Sequence, residues 1–209
     1  MSKTVIFLVL FASSIFSAAG QTPFSHRVYG TIAHYFSSAK ELLTFFDFHR
    51  GDSIAEIGAY DGQNIAGLSI MLDSVVFYVQ DIDSTQLAQG RFEKRIRRLS
   101  RKYLYPPKNK YRMCIGTEKA STLPENAFDK ILLVSAFHEF TYIHEMLNDI
   151  YTKLKPGGQL YILEAHCYTK THRNYTAAEC ISLLTAHGFE LQQREENGNG
   201  TYRLAFHKQ

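Results

Sequence analysis

The sequence predicts an α/β fold with a doubly wound, mostly parallel sheet, helices on both faces and an antiparallel strand at one edge. Three observations predict this class. Short apolar runs of strand length alternate with segments whose apolar residues recur at helical spacing. A turn containing Gly58 and Gly62 directly follows the first such run. Near the C-terminus, Asn197-Gly198-Asn199-Gly200 separates two strand-like runs, which is typical of an antiparallel hairpin.

Each predicted strand is a short apolar run with turn residues at its ends. In chain order they are Ser53 to Ile57, Val75 to Val79, Met113 to Ile115, Ile131 to Val134, Leu160 to Leu163, Phe189 to Gln193 and Thr201 to Phe206. The run Val75 to Val79 is uninterruptedly apolar, as strands buried on both faces are. Parallel strands need crossover helices between them, so the alternating pattern predicts a seven-stranded sheet.

The predicted helices have apolar residues three and four positions apart. They cover Tyr35 to Phe46, Gln63 to Leu72, Ser84 to Tyr103, Tyr142 to Leu154 and the segment from Thr176 to Gly188. Ser84 is a favourable N-cap, and Pro106-Pro107 follows the third helix. Thr176 and Glu179 have the spacing of a capping box, and Gly188 is a typical helix end.

Length and composition indicate one globular domain. The 209 residues suffice for one core, and hydrophobic residues make up 45 % of them. A net charge of +3 favours no particular partner. The three cysteines match no metal-binding or CxxC spacing, and no HExxH motif occurs, so no metal site is predicted. Cys167 and Cys180 could pair if the protein is exported.

The first twenty residues have the pattern of a secretory signal peptide. Lys3 precedes a mostly apolar run from Thr4 to Phe16, and Ser17-Ala18-Ala19-Gly20 supplies small residues for a peptidase. A bilayer span needs about 20 apolar residues, more than this run provides. We therefore expect residues 1–20 to be a cleaved signal, residues 21–209 to be the domain, and the location to be exported and periplasmic. An uncleaved anchor or a buried helix is the alternative, in which case the protein is cytoplasmic or membrane-bound.

The turn after the first strand predicts a ligand site. In a doubly wound sheet, ligands bind beyond the carboxyl ends of the strands. Gly58 lets the backbone approach a ligand, and Gly62 lets the next helix begin close to it. Asp81 ends the second strand, where a carboxylate can accept both hydroxyls of a ribose. Asp83 is the alternative, or a charge at the start of the next helix.

Four blocks in order resemble the class I S-adenosylmethionine (SAM)-dependent methyltransferases. The segment Glu56 to Gly62 is similar to the family's motif I, and Gly116-Thr117-Glu118 with Leu123-Pro124 and Phe128-Asp129 resembles its next block. Leu154 to Gly158 is similar to the motif before the fifth strand. The resemblance covers roughly residues 35 to 190 and implies a Rossmann-like sheet, SAM as cofactor and methyl transfer.

The resemblance implies roles for individual residues on the cofactor side. Glu56 would orient the loop or the methionine amine, and Gly58, Ala59, Tyr60 and Gly62 would line the methionine moiety. Asp81 would hold the ribose, Ile82 would pack on the adenine, and Thr117 and Glu118 would lie beside the adenine edge. Thr117 stands where many relatives have Asp, so the adenine contact departs from the family pattern.

The segment Val134 to Glu139 resembles the "YHEF" stretch of some bacterial members of the family. Ser135 is a further predicted cofactor contact there. His138 would face the transferred methyl group and could serve as base, since its ordinary pKa is near neutrality. A structural or helix-capping histidine is the alternative.

Two functional hypotheses follow. The first is methyl transfer from SAM to a small-molecule acceptor; the second is an exported protein that binds SAM without turnover. A nicotinamide-dependent oxidoreductase is disfavoured because GxGxxG is missing.

Ten Lys or Arg residues lie between Arg91 and Arg112, which is usual for the solvated face of a helix. The alternative is weak contact with an anionic surface. No aromatic pattern supports nucleic-acid binding.

Overall fold

The computed structural model describes residues 24–87, 90–105, 108–165, 174–198 and 200–209. The predicted signal peptide and Cys167 lie outside these residues, so the cleavage and the pairing of Cys167 with Cys180 stay predictions. Among the described residues, no helix has the length and apolar character needed to cross a membrane.

One sheet of seven strands forms the centre of the fold, in the order β3-β2-β1-β4-β5-β7-β6. The strands are β1 Ser53–Ile57, β2 Val76–Asp81, β3 Lys110–Ile115, β4 Phe128–Val134, β5 Leu154–Ala165, β6 Phe189–Glu196 and β7 Thr201–Lys208. Strands β1 to β5 pair in parallel, whereas β7 is antiparallel to both of its neighbours. The predicted fold class is confirmed. The reversed strand, β7, lies one place in from the edge, and its hairpin partner β6 forms the edge itself.

Seven α-helices are described: α1 His26–Tyr29, α2 Ala39–Phe46, α3 Gln63–Leu68, α4 Ser84–Leu87, α5 Arg91–Tyr103, α6 Ile143–Lys153 and α7 Ala177–Ala186. Short 3-10 helices cover Gly30–His34 and Phe137–Glu139. The prediction of one helix from Ser84 to Tyr103 was wrong, because Gly90 has a φ of 62° and begins a second helix there. The predicted capping box of α7 is confirmed, with Glu179 N donating to Thr176 Oγ1 at 3.2 Å and Thr176 N donating to Glu179 Oε2 at 2.8 Å.

Alternate residues of the strands pack against different layers of helices. Ile54, Phe77 and Leu132 belong to a core formed with α1 to α5. Their neighbours Ala55 and Leu133 belong to a second core formed with α6 and α7. This period of two buries the sheet on both faces, as a doubly wound fold requires.

The basic segment forms the outer side of α5. Phe92, Ile96 and Leu99 are buried, whereas the helix exposes Arg91, Lys94, Arg97, Arg98, Arg101 and Lys102. The amphipathic interpretation of this segment is confirmed. Arg95 instead forms an ion pair with Asp61 and so ties α5 to the loop after β1.

Candidate functional site

A cavity of about 350 Å³ opens where the loops after β1, β2, β3 and β4 meet. Pockets for small ligands have volumes of about 300–1,000 Å³. The lining residues come from five segments: Ile57, Gly58, Tyr60, Gln80, Asp81, Ile82, Thr117, Glu118, Ser135, Ala136, Glu139, Phe140, Thr141 and Met146. Seven of the residues proposed from the sequence are therefore brought together here. Glu56, Ala59, Gly62 and His138 do not line the cavity.

The loop after β1 depends on glycine at two places for packing. Gly58 has a φ of 72°, and a Cβ atom there would lie 2.7 Å from Ala136 Cβ. Gly62 begins α3 with a φ of 73°, and a Cβ atom there would lie 2.6 Å from the Phe92 ring. Ala59 N donates to Gln80 O at 2.9 Å, which fixes the loop against β2. Gly58 thus borders the cavity, whereas Gly62 lets α3 pack closely on α5.

Asp81, at the end of β2, is one of the carboxylates that line the cavity. Its Oδ2 accepts from Tyr60 N at 2.6 Å, and its Oδ1 accepts from Asp83 N at 2.9 Å. Each oxygen keeps a further lone pair for a ligand hydroxyl. Asp83 instead accepts from Thr85 N at 2.8 Å, and its hydrogen bonds with Thr85 lower its pKa. The geometry therefore assigns Asp81 to the cavity and Asp83 to the start of α4.

Two cavity-lining residues that are not glycine adopt left-handed backbone conformations. Tyr60 has a φ of 52° and Ser135 a φ of 53°. Such conformations cost free energy and concentrate at functional sites. Tyr60 is 61 % exposed and Ile82 is 55 % exposed, so both residues leave apolar surface uncovered beside the cavity that they line.

Glu56 lies under the loop rather than in the cavity. Its carboxylate is fully buried, and Oε1 accepts from Asn64 Nδ2 at 2.5 Å. Asn64 Oδ1 in turn accepts from Ile32 N at 3.0 Å. Burial raises the pKa of Glu56 to about 8. Of its two predicted roles, the geometry matches orientation of the loop, because Glu56 holds Asn64, and Asn64 ties α3 to the N-terminal segment.

The wall formed after β3 contains Thr117 and Glu118. Thr117 Oγ1 accepts from Ala120 N at 3.1 Å and from Lys119 N at 3.3 Å, so this hydroxyl stabilises its own turn. Glu118 is exposed. Gln80, which directly precedes Asp81 on β2, also lines the cavity, and the sequence interpretation missed it. The only signal was a polar residue directly after the apolar run of β2.

The opposite side of the cavity joins segments far apart in the chain. The hydroxyl groups of Ser135 and Tyr35 are 2.5 Å apart and hydrogen-bonded. Tyr35 precedes α2 and is buried. Phe140, Thr141 and Met146 complete this side. Sequence reasoning did not find Tyr35, because the contact spans 100 positions and depends on the tertiary fold.

His138 lies behind the cavity wall and bridges two carboxylates. Its Nδ1 is 2.8 Å from Oε2 of Glu164, and its Nε2 is 3.3 Å from Oε1 of Glu139. The other oxygen of Glu164 accepts from Phe137 N at 2.7 Å. Glu164 is 3 % exposed, whereas the Glu139 side chain is half exposed and lines the cavity. The residue that meets the cavity is therefore Glu139, with His138 behind it.

The charged groups that line the cavity in the described structure are Asp81, Glu118 and Glu139. This acidic lining suits a ligand with positive charge. No group of three or more His, Cys, Asp or Glu within the described ranges could hold a metal ion.

Comparison with known proteins identifies relatives. A family model described as a methyltransferase domain matches residues 56–162. A SAM-dependent methyltransferase from Aquifex aeolicus is 17 % identical, with a TM-score of 0.63 over 89 % of this chain and 93 % of that one.

A TehB-like SAM-dependent methyltransferase from Corynebacterium glutamicum is 15 % identical, with a TM-score of 0.58 over 80 % and 86 % of the two chains. A SAM-dependent methyltransferase from Thermotoga maritima is 16 % identical, with a TM-score of 0.57 over 80 % and 87 %. No curated protein matches the sequence. At these identities the structures show a shared fold.

Proposed function

The chain belongs to the class I SAM-dependent methyltransferases, with SAM as their cofactor, and on this premise we propose that it methylates a small-molecule acceptor. The observation that carries the proposal is the cavity itself. It combines the Gly58 turn, the Asp81 carboxylate and the exposed Ile82 on one side with a separate polar side around Glu139. A site for donor and acceptor needs two such sides.

The residues present fit SAM. The ligand carries a sulfonium and an ammonium group, which an acidic lining attracts. Asp81 has free lone pairs for the ribose hydroxyls, and Ile82 offers apolar surface for the adenine. The backbone beside Gly58 would contact the methionine moiety. These assignments are proposals that rest on the position of each residue around the cavity.

Bound SAM supplies an electrophilic methyl group, so the protein mainly has to align the acceptor and exclude water. An acceptor that must lose a proton also needs a base. We propose that Glu139 receives this proton or passes it to Nε2 of His138. Glu164 would support the relay by accepting a hydrogen bond from Nδ1: when His138 carries its single proton there, Nε2 is the nitrogen that can accept the proton from Glu139. His138 is thus a base that acts through Glu139.

Turnover is tested with radiolabelled SAM and a panel of small phenols, amines, thiols and carboxylates. The wild type should release S-adenosylhomocysteine (SAH) with at least one class of acceptor. The rate of this release should be about a hundredfold lower in the Glu164→Gln variant. A reaction without the protein supplies the background. Binding of SAM with no conversion of any class would favour the alternative, an exported protein that binds SAM without turnover.

We also propose that the mature protein begins near Gln21 and lies outside the cytoplasm. The support is the sequence pattern of residues 1–20. N-terminal sequencing of the protein from fractionated native cells tests this. A cytoplasmic product that retains Ser2 would contradict it.

A further inference from the structure

Gln80 is a buried residue whose side-chain amide has no hydrogen-bond partner in the described structure. The residue is 1 % exposed, yet it lines the cavity. Within the described structure, neither Oε1 nor Nε2 of Gln80 has a hydrogen-bond partner. Leaving such groups unpaired is unfavourable, and native proteins rarely do so without a functional reason. The amide therefore points to a ligand with matching polar groups.

The surroundings of Gln80 preserve space for this amide. Gly116, on the neighbouring strand end, contacts it so closely that a Cβ atom there would collide with Gln80 Nε2. The same Cβ atom would lie 2.9 Å from the carbonyl oxygen of Ala120, which is backbone and cannot move freely. Gly116 is therefore required for space. The amide of Gln80 is therefore packed beside Gly116, next to the cavity that Gln80 helps to line.

The neighbours of Gln80 indicate which part of the cofactor it meets. Asp81, the proposed ribose ligand, follows it directly, and Ile82 offers apolar surface for a base. Thr117 stands at the expected adenine position, but its hydroxyl is used within its own turn. Gln80 is thus the buried side chain on this wall that offers both a donor and an acceptor to a base.

We propose that the Gln80 carboxamide recognises the adenine of the cofactor, an inference that rests on the proposed cofactor site. The exocyclic amine of adenine donates to Oε1, and an adjacent ring nitrogen accepts from Nε2. A carboxamide matches this donor–acceptor pair, as Asn and Gln do when they bind adenine in nucleic acids. Gln80 would therefore set the preference for adenine over other purines.

The test is calorimetry of the full chain with SAH and with an SAH analogue whose purine lacks the exocyclic amine. The wild type should bind the analogue about tenfold more weakly than SAH. Gln80→Met keeps the length of the side chain and removes both polar atoms, so it should bind SAH at least about tenfold more weakly and no longer distinguish the two ligands. Without ligand, Gln80→Met should melt at a temperature no lower than the wild type, because the unpaired amide is gone.

Gln192→Met is the matched control, since Gln192 is exposed on β6 at the far edge of the sheet. Gln80→Leu repeats the measurement if Gln80→Met does not fold. Unchanged affinity of the Gln80 variants for SAH would overturn the proposal. So would equal losses for both ligands with the wild-type preference retained, which would indicate a purely structural role. A wild type that binds neither ligand would instead refute the cofactor site as a whole.

Discussion

The two sides of the cavity are built in different ways. The proposed cofactor side consists of short chain segments whose key contacts are local, such as Asp81 with Asp83, or run between neighbouring strands, such as Asp81 with Tyr60. The proposed acceptor side depends also on a remote contact, because Tyr35 is hydrogen-bonded to Ser135, 100 positions away in the chain. Local motifs retain a recognisable sequence pattern, whereas contacts between remote residues do not. The cofactor is therefore identifiable and the acceptor is not.

If the cofactor side depends on the loop after β1, Gly58→Val should abolish SAH binding. The side chain would meet Ala136 at 2.7 Å, and a β-branched residue is strained at a φ of 72°. Gly51→Val is the matched control: Gly51 has a φ of 90°, but a Cβ atom there would meet nothing within 4 Å. Calorimetry and circular dichroism compare the two. Equal loss of binding in both variants would mean that backbone strain, and not the position at the cavity, is responsible.

Asp81→Ala should weaken SAH binding by about 10- to 100-fold, because hydrogen bonds to a charged group contribute about 1.5–3 kcal/mol. The loop would also lose its contact with Tyr60 N. Asp83→Ala removes a carboxylate two positions away that accepts hydrogen bonds at the start of α4. The affinity of this variant for SAH should stay within about threefold of the wild type. Calorimetry under one salt condition measures both. If Asp83→Ala has the larger effect, the roles of the two carboxylates are reversed.

Much of the fold followed from the sequence because its signals are local. Strand β1 has the predicted bounds, Ser53–Ile57, and the capping box of α7 is present. The division of α4 from α5 was missed because one glycine inside a helical pattern is often tolerated. On the proposed cofactor side, the sequence placed Gly58 directly after β1 and Asp81 at the end of β2, and both residues line the cavity. Gln80 was missed because its unpaired amide becomes evident only when its neighbours are known.

The acceptor side could be predicted only in part. His138 was proposed because it is a titratable residue shortly after a strand, but its sequence position does not show that it contacts Glu164 on the neighbouring strand β5. Glu164 itself lies in an apolar strand, and its burial and its contact with Phe137 N depend on the pairing of β4 with β5. No pattern of period two or 3.6 encodes that contact.

Replacing Glu56, the buried acid beneath the loop after β1, should affect SAH binding less than replacing Gly58 or Asp81. Glu56→Gln should change SAH affinity by only about two- to threefold, because Glu56 acts through Asn64 and not on the ligand. Its effect on stability depends on pH. The folded-state pKa of about 8 exceeds the ordinary 4.5, so the folded protein holds the extra proton and loses stability as pH rises between these values.

Thermal melting without ligand at pH 5 and pH 8 checks this. Glu56→Gln should gain stability relative to the wild type at pH 8, by on the order of a few kcal/mol, and gain little at pH 5. Glu93→Gln, on the exposed side of α5, should follow the wild type at both values. If the stability of Glu56→Gln and of the wild type changed with pH in the same way, Glu56 would be ionised in the folded protein.

Glu164→Gln should leave SAH affinity unchanged, which is the smallest effect and the sharpest test that the two sides are separate. The Gln oxygen can still accept from Phe137 N, but its amide group would then donate to Nδ1 of His138. His138 should therefore change from the Nδ1–H to the Nε2–H tautomer, which nitrogen-15 NMR of the imidazole ring detects. A wild-type tautomer in this variant would contradict the proposed relay.

A calorimetric titration of the full chain with SAM, SAH and NAD in parallel tests directly whether this cavity is a SAM site. We expect one binding site per chain for both SAM and SAH, and no binding of NAD, because the Gly58 turn lacks the glycine pattern that accommodates a pyrophosphate. Competition between SAM and SAH should be complete. Absence of binding by SAM and SAH, or binding of NAD in their place, would contradict the assignment of this cavity.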